Sequence, residues 1–412
     1  MNIIFVTIAY PQNSLDSNLY TDLMEGFRGN GHQVYVVCSA EKRFGHESQI
    51  TNSNGIEILR VKTGNVTSNP NYFTKGIALL RLQSQFITAI KKNFSEISFD
   101  LIIYSTPPIQ YNRIIKYLKA KSKSATTYLL LKDIFPQNAL DMGLLSKWNP
   151  IYWHFRNQEK ITYKLSDRIG CMSQANVSYV LNNNSFISPS KVEVCANTLK
   201  DHGKINKSDH LEIRSKIRKN LSVLDDELLL IYGGNLGIAQ GLDFFLEIID
   251  NYKNAKNIRF LIVGDGTWYS KIEKFISDRL AKNVLLKKRV PANAFKELLI
   301  ASDIGLIFLN PKFTIPNFPS RLTSYLEVGL PVIACTDKIS DIGDIIVSEG
   351  CGFKILSGNI REFKDTIHYA LNSPEMIKTK SVNSRNLFEK SFTINQSYQI
   401  IMNRWYPSQI DR

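Results

Sequence analysis

The sequence predicts an α/β protein built from two doubly wound, mostly parallel-sheet domains, and three observations carry that prediction. Short apolar runs alternate with longer segments of helical period along nearly all 412 residues, the rhythm of strands laid into a parallel sheet with helices on both faces. The length exceeds what a single hydrophobic core supports, so two domains of about 200 residues each are expected. One polar stretch, Leu199-Lys-Asp-His-Gly-Lys-Ile-Asn-Lys-Ser-Asp209, breaks the rhythm near the middle. The expected division is a domain over 1–200, a second over 201–390 and a closing segment over 391–412.

In the first half the strand candidates are Ile3 to Ile8, Val34 to Cys38, Ile56 to Val61, Asp100 to Tyr104, Thr126 to Leu131, Arg168 to Met172 and Val192 to Cys195. Between the first two, Leu19, Leu23 and Phe27 recur on one helix face, and Gly29-Asn-Gly31 closes that segment. The second half repeats the pattern with Leu228 to Ile231, Arg259 to Val263, Asn283 to Leu286, Ile304 to Leu309, Val332 to Cys335 and Gly352 to Ile355. Two such domains in tandem are expected to face a central cleft with their strand C-termini. The amphipathic stretch Phe392 to Trp405 follows the last strand and has none left to serve. It is expected to cross back onto the N-terminal domain.

Hydrophobic content of 43% suits two ordinary cores. No run approaches the roughly 18 to 20 apolar residues of a membrane span, and Met1-Asn-Ile-Ile-Phe-Val-Thr-Ile reads as a first buried strand rather than a leader. The five cysteines (38, 171, 195, 335, 351) form no C-x-x-C pair and mostly end apolar runs, as buried thiols of a cytoplasmic protein do. The net charge of +14 is uneven: residues 1–200 hold 22 Lys+Arg against 13 Asp+Glu, leaving 29 against 24 for the rest. An anionic partner is implied. Basic residues accompany aromatics in three N-terminal segments, from Asn71-Tyr-Phe-Thr-Lys75 to Lys92, Tyr111 to Lys121, and Lys147 to Arg156. That combination suits a headgroup interface, and peripheral association with a membrane surface is expected. No nucleic-acid recognition module is visible.

The chemistry is expected at Ile231-Tyr-Gly-Gly-Asn-Leu-Gly-Ile-Ala-Gln-Gly241, which reads as strand, phosphate loop and helix. Glycines 233, 234, 237 and 241 let the backbone turn sharply and bring its N–H groups close to an anion. Some eighty residues on stands Asn317-Phe-Pro-Ser-Arg-Leu-Thr-Ser-Tyr-Leu-Glu-Val-Gly-Leu-Pro-Val-Ile-Ala334.

With these two elements the chain resembles the retaining glycosyltransferases of family 4, the group 1 glycosyl transferases, whose GT-B architecture has two Rossmann-like domains. The family's loop G-R-x(4)-K-G is matched by Gly234, Asn235, Gln240 and Gly241, with neutral amides in place of both basic residues. That substitution is similar to a branch found in bacterial surface-polysaccharide clusters, among them transferases of fucosamine-type sugars in O-antigen synthesis. The resemblance implies that Glu327 accepts hydrogen bonds from the donor ribose. Pro319 stands where the family's first glutamate belongs.

Pro319-Ser320-Arg321 offsets the missing loop charge in this branch, which makes Arg321 the expected grip on the diphosphate. Arg289 and Val290 match an Arg-Val pair near the nucleobase, and Gly264 lies in a matched V-G-x-G turn. In the N-terminal domain Lys132 stands where many members have histidine, followed by Asp133; the two are either a buried ion pair or a site pair. Ser14, Asp16 and Asn18 are expected to cap the first helix and face the acceptor.

No D-x-D occurs in the chain, and the resemblance implies a transfer without metal or other cofactor. Backbone N–H groups at Gly237 to Gly241 and Arg321 would then meet the charge of the departing diphosphate. The expectation is a membrane-associated transferase that extends a lipid-linked oligosaccharide from a nucleotide-sugar donor. A catalytically silent docking subunit and a sugar-nucleotide epimerase on the same fold are the competing readings.

Overall fold

The computed structural model describes residues 1–11, 18–45, 47–66, 72–403 and 405. The chain forms two compact units, Met1–Ala196 with Ile394–Arg412, and Asn197–Thr393.

The first unit is built on β1 (Asn2–Val6), β2 (Gln33–Glu41), β3 (Gln49–Ser53), β4 (Ile56–Thr63), β5 (Leu101–Ser105), β6 (Thr126–Leu131), β7 (Arg168–Cys171) and β8 (Val192–Val194). They lie in the order β3-β4-β2-β1-β5-β6-β7-β8. Every pairing is parallel except β3 with β4. Central strands such as β5 and β6 are buried along their whole length, which explains their unbroken apolar sequence. The sequence reading missed β3, a polar edge strand with little periodicity. Its signal was the following Asn54-Gly55, two residues at φ 53° and 78° that form the turn favoured between antiparallel strands.

The helix Leu19–Gly29 begins at Asn18, whose side chain accepts from the backbone of Tyr20 and Thr21 at 2.8 and 3.0 Å. Thr21 returns the bond by accepting from the Asn18 N–H, a reciprocal cap. Leu23, Met24 and Phe27 of this helix bury against β1 and β2. The last helix, Ile394–Met402, belongs to the same unit: Tyr398 packs its ring 5.4 Å from Phe27 and hydrogen-bonds His32.

The second unit contains β9 (Leu228–Gly233), β10 (Ile258–Val263), β11 (Val284–Lys287), β12 (Ile304–Phe308), β13 (Val332–Thr336) and β14 (Gly352–Leu356), all parallel. Their order is β11-β10-β9-β12-β13-β14. Strand order therefore reverses between β9 and β12, as it does between β1 and β5 in the first unit, and such switch points are where open parallel sheets take ligands. Tyr232, Phe245, Phe260 and Phe308 fill the core beneath that point. The polar stretch after Leu199 is part of this unit: the Leu199 N–H donates to Phe392, and Asp201 pairs with Arg385 at 2.5 Å. All five cysteines are buried and free.

Candidate functional site at the carboxyl edge of the second sheet

β9 ends at Gly233, and the chain turns through Gly234 at φ 119°. Main-chain bonds sew three strand ends together there: Gly234 donates to Val263, Leu236 to Asp265, Trp268 to Leu236 and Gly264 to Lys287, at 2.9 to 3.0 Å. Gly264 has to be glycine, because a Cβ on it would stand 1.8 Å from the Gly234 carbonyl oxygen. The loop then makes a short turn, Ile238–Gln240, and leaves it at Gly241 in the left-handed region, φ 58°. A Cβ at Gly241 would lie 2.8 Å from the Leu309 carbonyl. Asn310 donates to the carbonyls of Ala239 and Ile238, so the loop spans the switch point from β9 to β12.

Arg321 opens the helix Arg321–Glu327 and reaches this loop. Its guanidinium lies 4.3 Å from the centre of the Tyr232 ring and donates from Nη2 to Gln240 Oε1 at 2.7 Å. Nη1 is buried without a hydrogen-bond partner. Among the described residues no carboxylate pairs with Arg321, whereas Arg218 in the same unit is ion-paired to Asp303 and Arg385 to Asp201 and Glu389. A half-buried cation held by one neutral amide and an aromatic face is incompletely compensated. The geometry beneath it is fixed by Tyr325, whose hydroxyl accepts from the Gly233 N–H at 3.0 Å and donates to Leu306. Gly305 leaves room for the Tyr325 ring, which would meet a Cβ there at 2.5 Å. Burial pushes the Tyr325 hydroxyl up to about 12, against the pull of nearby Arg321, so it stays a neutral donor.

The structure thus brings Gly234, Asn235, Gly237, Gln240, Gly241, Gly264 and Arg321 together. Asn235 and Gly234 are exposed on the loop, and the Asn235 side-chain amide lies beside Gly237. Ser320 is exposed at the helix start and caps nothing with its side chain. Arg289 and Val290 follow β11; the Arg289 N–H donates to Asp265 at 3.3 Å, and the residue is exposed. Lys288 lies over the ring of Tyr269. Tyr232, Tyr325 and Asn310 escaped the sequence reading, although the first sits inside the glycine motif itself.

Glu327 lies on the same helix. It ends the helix that Arg321 begins, roughly 9 Å away along the axis at 1.5 Å per residue, and its carboxylate is taken by Lys296 at 2.5 Å. It lines a separate 270 Å³ pocket with Gly203, Lys204, His210 and Arg385, and that pocket includes no residue of the glycine loop. Arg321, Ser324 and Glu327, at i, i+3 and i+6, form one half-buried stripe of the helix.

The corresponding edge of the first sheet carries Lys132 and Asp133, which do not form an ion pair. Thr106 accepts from both backbone N–H groups and donates to the Asp133 carbonyl. The Asp133 carboxylate accepts from Asn138 at 2.6 Å. Burial pushes Asp133 up to about 6, against the hydrogen bonds from Ile134 and Asn138. Burial pulls the Lys132 ammonium down to about 8, with buried Cys195 and Cys171 opposing. Asn18 is the cap described above, while Ser14 and Asp16 lie outside the described residues. Among the described residues no group of three or more His, Cys, Asp and Glu side chains could hold a metal ion, and no helix is long and apolar enough to cross a membrane.

Residues 213–386 match the family model described as Glycosyl transferases group 1. WcaI of Escherichia coli (strain K12), a glycosyl transferase named for colanic acid biosynthesis, is 27% identical over 129 residues, 31% of each chain. WbjE of Pseudomonas aeruginosa, a glycosyltransferase by name, is 25% identical over 231 residues, 55% of this chain and 54% of its own. The chain thus spans between about a third and about half of the length of these curated relatives. In structure it is similar to sucrose-phosphate synthase from Thermosynechococcus elongatus, with TM-score 0.77 at 14% identity over 99% of this chain and 100% of that one. Anabaena Alr3699/HepE, solved in complex with UDP and glucose, gives TM-score 0.69 at 14% identity over 98% and 99%. The fold is that of the GT-B glycosyltransferases, and the similarity to the group 1 family model lies in the second unit, over residues 213–386.

Proposed function

We propose that this chain is a retaining, metal-independent glycosyltransferase of bacterial surface-polysaccharide synthesis. It moves a sugar from a nucleoside-diphosphate donor to a polyprenyl-diphosphate-linked oligosaccharide at the cytoplasmic face of a membrane. The observation that carries the reading is Arg321, a cation at the glycine loop with no carboxylate partner among the described residues and one buried nitrogen unbonded. A diphosphate supplies the missing acceptors in the bidentate geometry a guanidinium prefers.

In the reaction the bond between the anomeric carbon and the diphosphate oxygen breaks, and the electron pair leaves with the diphosphate. The acceptor hydroxyl bonds to the same face of that carbon, and its proton passes to the departing phosphate. Arg321 and the N–H groups of the glycine loop stabilise the charge that develops. The names of WcaI and WbjE, and the UDP and glucose in the HepE structure, support the reaction class. The Asn235 and Gln240 loop, by its resemblance, supports a fucosamine-type sugar.

Thermal stabilisation by a panel of UDP-, GDP- and dTDP-sugars tests the donor half, since a ligand bound to the native state raises the melting temperature. One nucleotide sugar is expected to stabilise the protein, and to do so without added divalent cation. No shift with any of them would sink the reading.

A further inference from the structure

A groove of 450 Å³ lies on the first unit between the edge strands β3 and β4 and the helix Tyr72–Asn93, within the roughly 300–1,000 Å³ of small-molecule sites. Its floor is apolar and its helix wall polar, for reasons of period. Leu59 and Val61, two apart on β4, point to one face of the sheet and are buried. On the helix, Leu82, Phe86 and Ile90 take the buried stripe. That leaves Gln85, Thr88 and Lys92, at i, i+3 and i+7, as a second stripe that lines the groove.

Two members of this stripe lack partners. The Gln85 side-chain oxygen, Oε1, is shut off from water and accepts no hydrogen bond. Such an acceptor is unfavourable in a folded protein unless a ligand donates to it. Lys92 is exposed, and among the described residues no carboxylate pairs with it, whereas Lys62 on the same groove is neutralised by Glu47.

These features select a ligand. Gln85 Oε1 calls for a donor such as a hydroxyl, and Lys92 for an anion. The two residues stand roughly 10 Å apart along the axis at 1.5 Å per residue, too far for one inorganic ion to satisfy both. Among the described residues no aromatic side chain lines the groove, so a nucleobase has nothing to stack on. A pyranose, with C–H groups on one face and hydroxyls at its rim, matches an apolar floor under a polar wall. We infer that this groove binds a short acidic saccharide whose hydroxyl donates to Gln85 Oε1, whose carboxylate or phosphate pairs with Lys92 and whose ring lies on Leu59 and Val61. It is a carbohydrate site separate from the glycine loop, which belongs to the second unit. The choice of a saccharide rests in part on the reading of a polysaccharide transferase, and its test uses neither donor nor turnover, so either can fail alone.

The experiment is a calorimetric titration of the full chain with a disaccharide of glucuronic acid and N-acetylglucosamine, alongside chitobiose as its uncharged counterpart and inorganic phosphate as a bare anion. The acidic disaccharide is expected to bind about fivefold more tightly than chitobiose, and phosphate is expected not to displace it. Lys92→Ala should remove that preference. Gln85→Leu should weaken both disaccharides about fivefold while melting at or above the wild-type temperature, since an unbonded amide is exchanged for an apolar group. No binding of the acidic disaccharide, equal binding of both disaccharides, displacement by phosphate, or variants that titrate like the wild type would overturn the inference. So would a Gln85→Leu protein that melts well below the wild type, which would make the amide part of the fold.

Discussion

Lys132 and Arg321 are half-buried cations at the carboxyl edges of the two sheets, and the surroundings treat them differently. Arg321 stacks on Tyr232 and bonds Gln240, partners that add no negative charge. A guanidinium does not surrender its proton at accessible pH, so its charge stays directed at whatever anion binds. Lys132 lies near buried thiols, with no carboxylate partner among the described residues, and burial draws it down to about 8. It answers desolvation by giving up its proton more readily. Topologically equivalent edges thus hold one permanent cation, suited to a diphosphate, and one group able to change charge.

The comparison breaks most sharply at Arg321. Replacing it with alanine should lower kcat/KM about 100- to 1,000-fold with no change in melting temperature, measured with the donor the thermal panel identifies. Arg321→Lys should recover only part, since an ammonium cannot stack on Tyr232 and present two parallel donors at once. Residual activity above about a tenth of wild type would move the counter-charge elsewhere.

Gly264→Ala should cost about 3 kcal/mol in urea denaturation of the second unit, because the new Cβ meets the Gly234 carbonyl and nothing flexible can yield. A cost below about 1 kcal/mol would mean that the loop relaxes more freely than its main-chain bonds suggest.

Lys132→Met sharpens the other edge. The folded pKa of about 8 lies below the ordinary 10.5. Between those values the unfolded chain binds more protons than the native one, so wild-type stability should rise with pH by about 2 kcal/mol, discounted for partial exposure. The variant should lose that rise. Denaturation midpoints at pH 8 and 10.5 decide it, and parallel curves for both proteins would show the ammonium to be well solvated.

The smallest effect belongs to Glu327→Gln, which should cost about 1 kcal/mol through the lost pairing with Lys296 and weaken donor binding about tenfold through the ribose contact that the resemblance implies. Donor affinity within about twofold of wild type would remove Glu327 from the site.

Much of this was legible in the sequence, for reasons of range. Apolar periodicity is local, and it located every strand except β3, whose side chains face solvent and lack a buried stripe. Conformation-limited glycines are local too, so Gly234 and Gly241 could be assigned to a turn before any coordinates. The polar stretch after Leu199 reads as a tether by composition, and its partner lies far along the chain: Asp201 pairs with an arginine 184 residues away.

What the sequence determined by itself, then, is the order and type of the elements and the position of the glycine turn, since backbone sterics and hydrophobic period act over a few residues. Tertiary structure decided the partners. Gln240 and Arg321 meet across 81 residues because the switch point brings the ends of β9 and β12 together. Lys132 and Asp133 stay unpaired, although adjacent, because successive side chains on extended backbone leave on opposite sides. Glu327 meets Lys296 across 31 residues because the fold sets the two helices that carry them within reach. Ion-pair energies fall off within a few ångströms, so the partner of a charge follows from distances that only the folded chain sets.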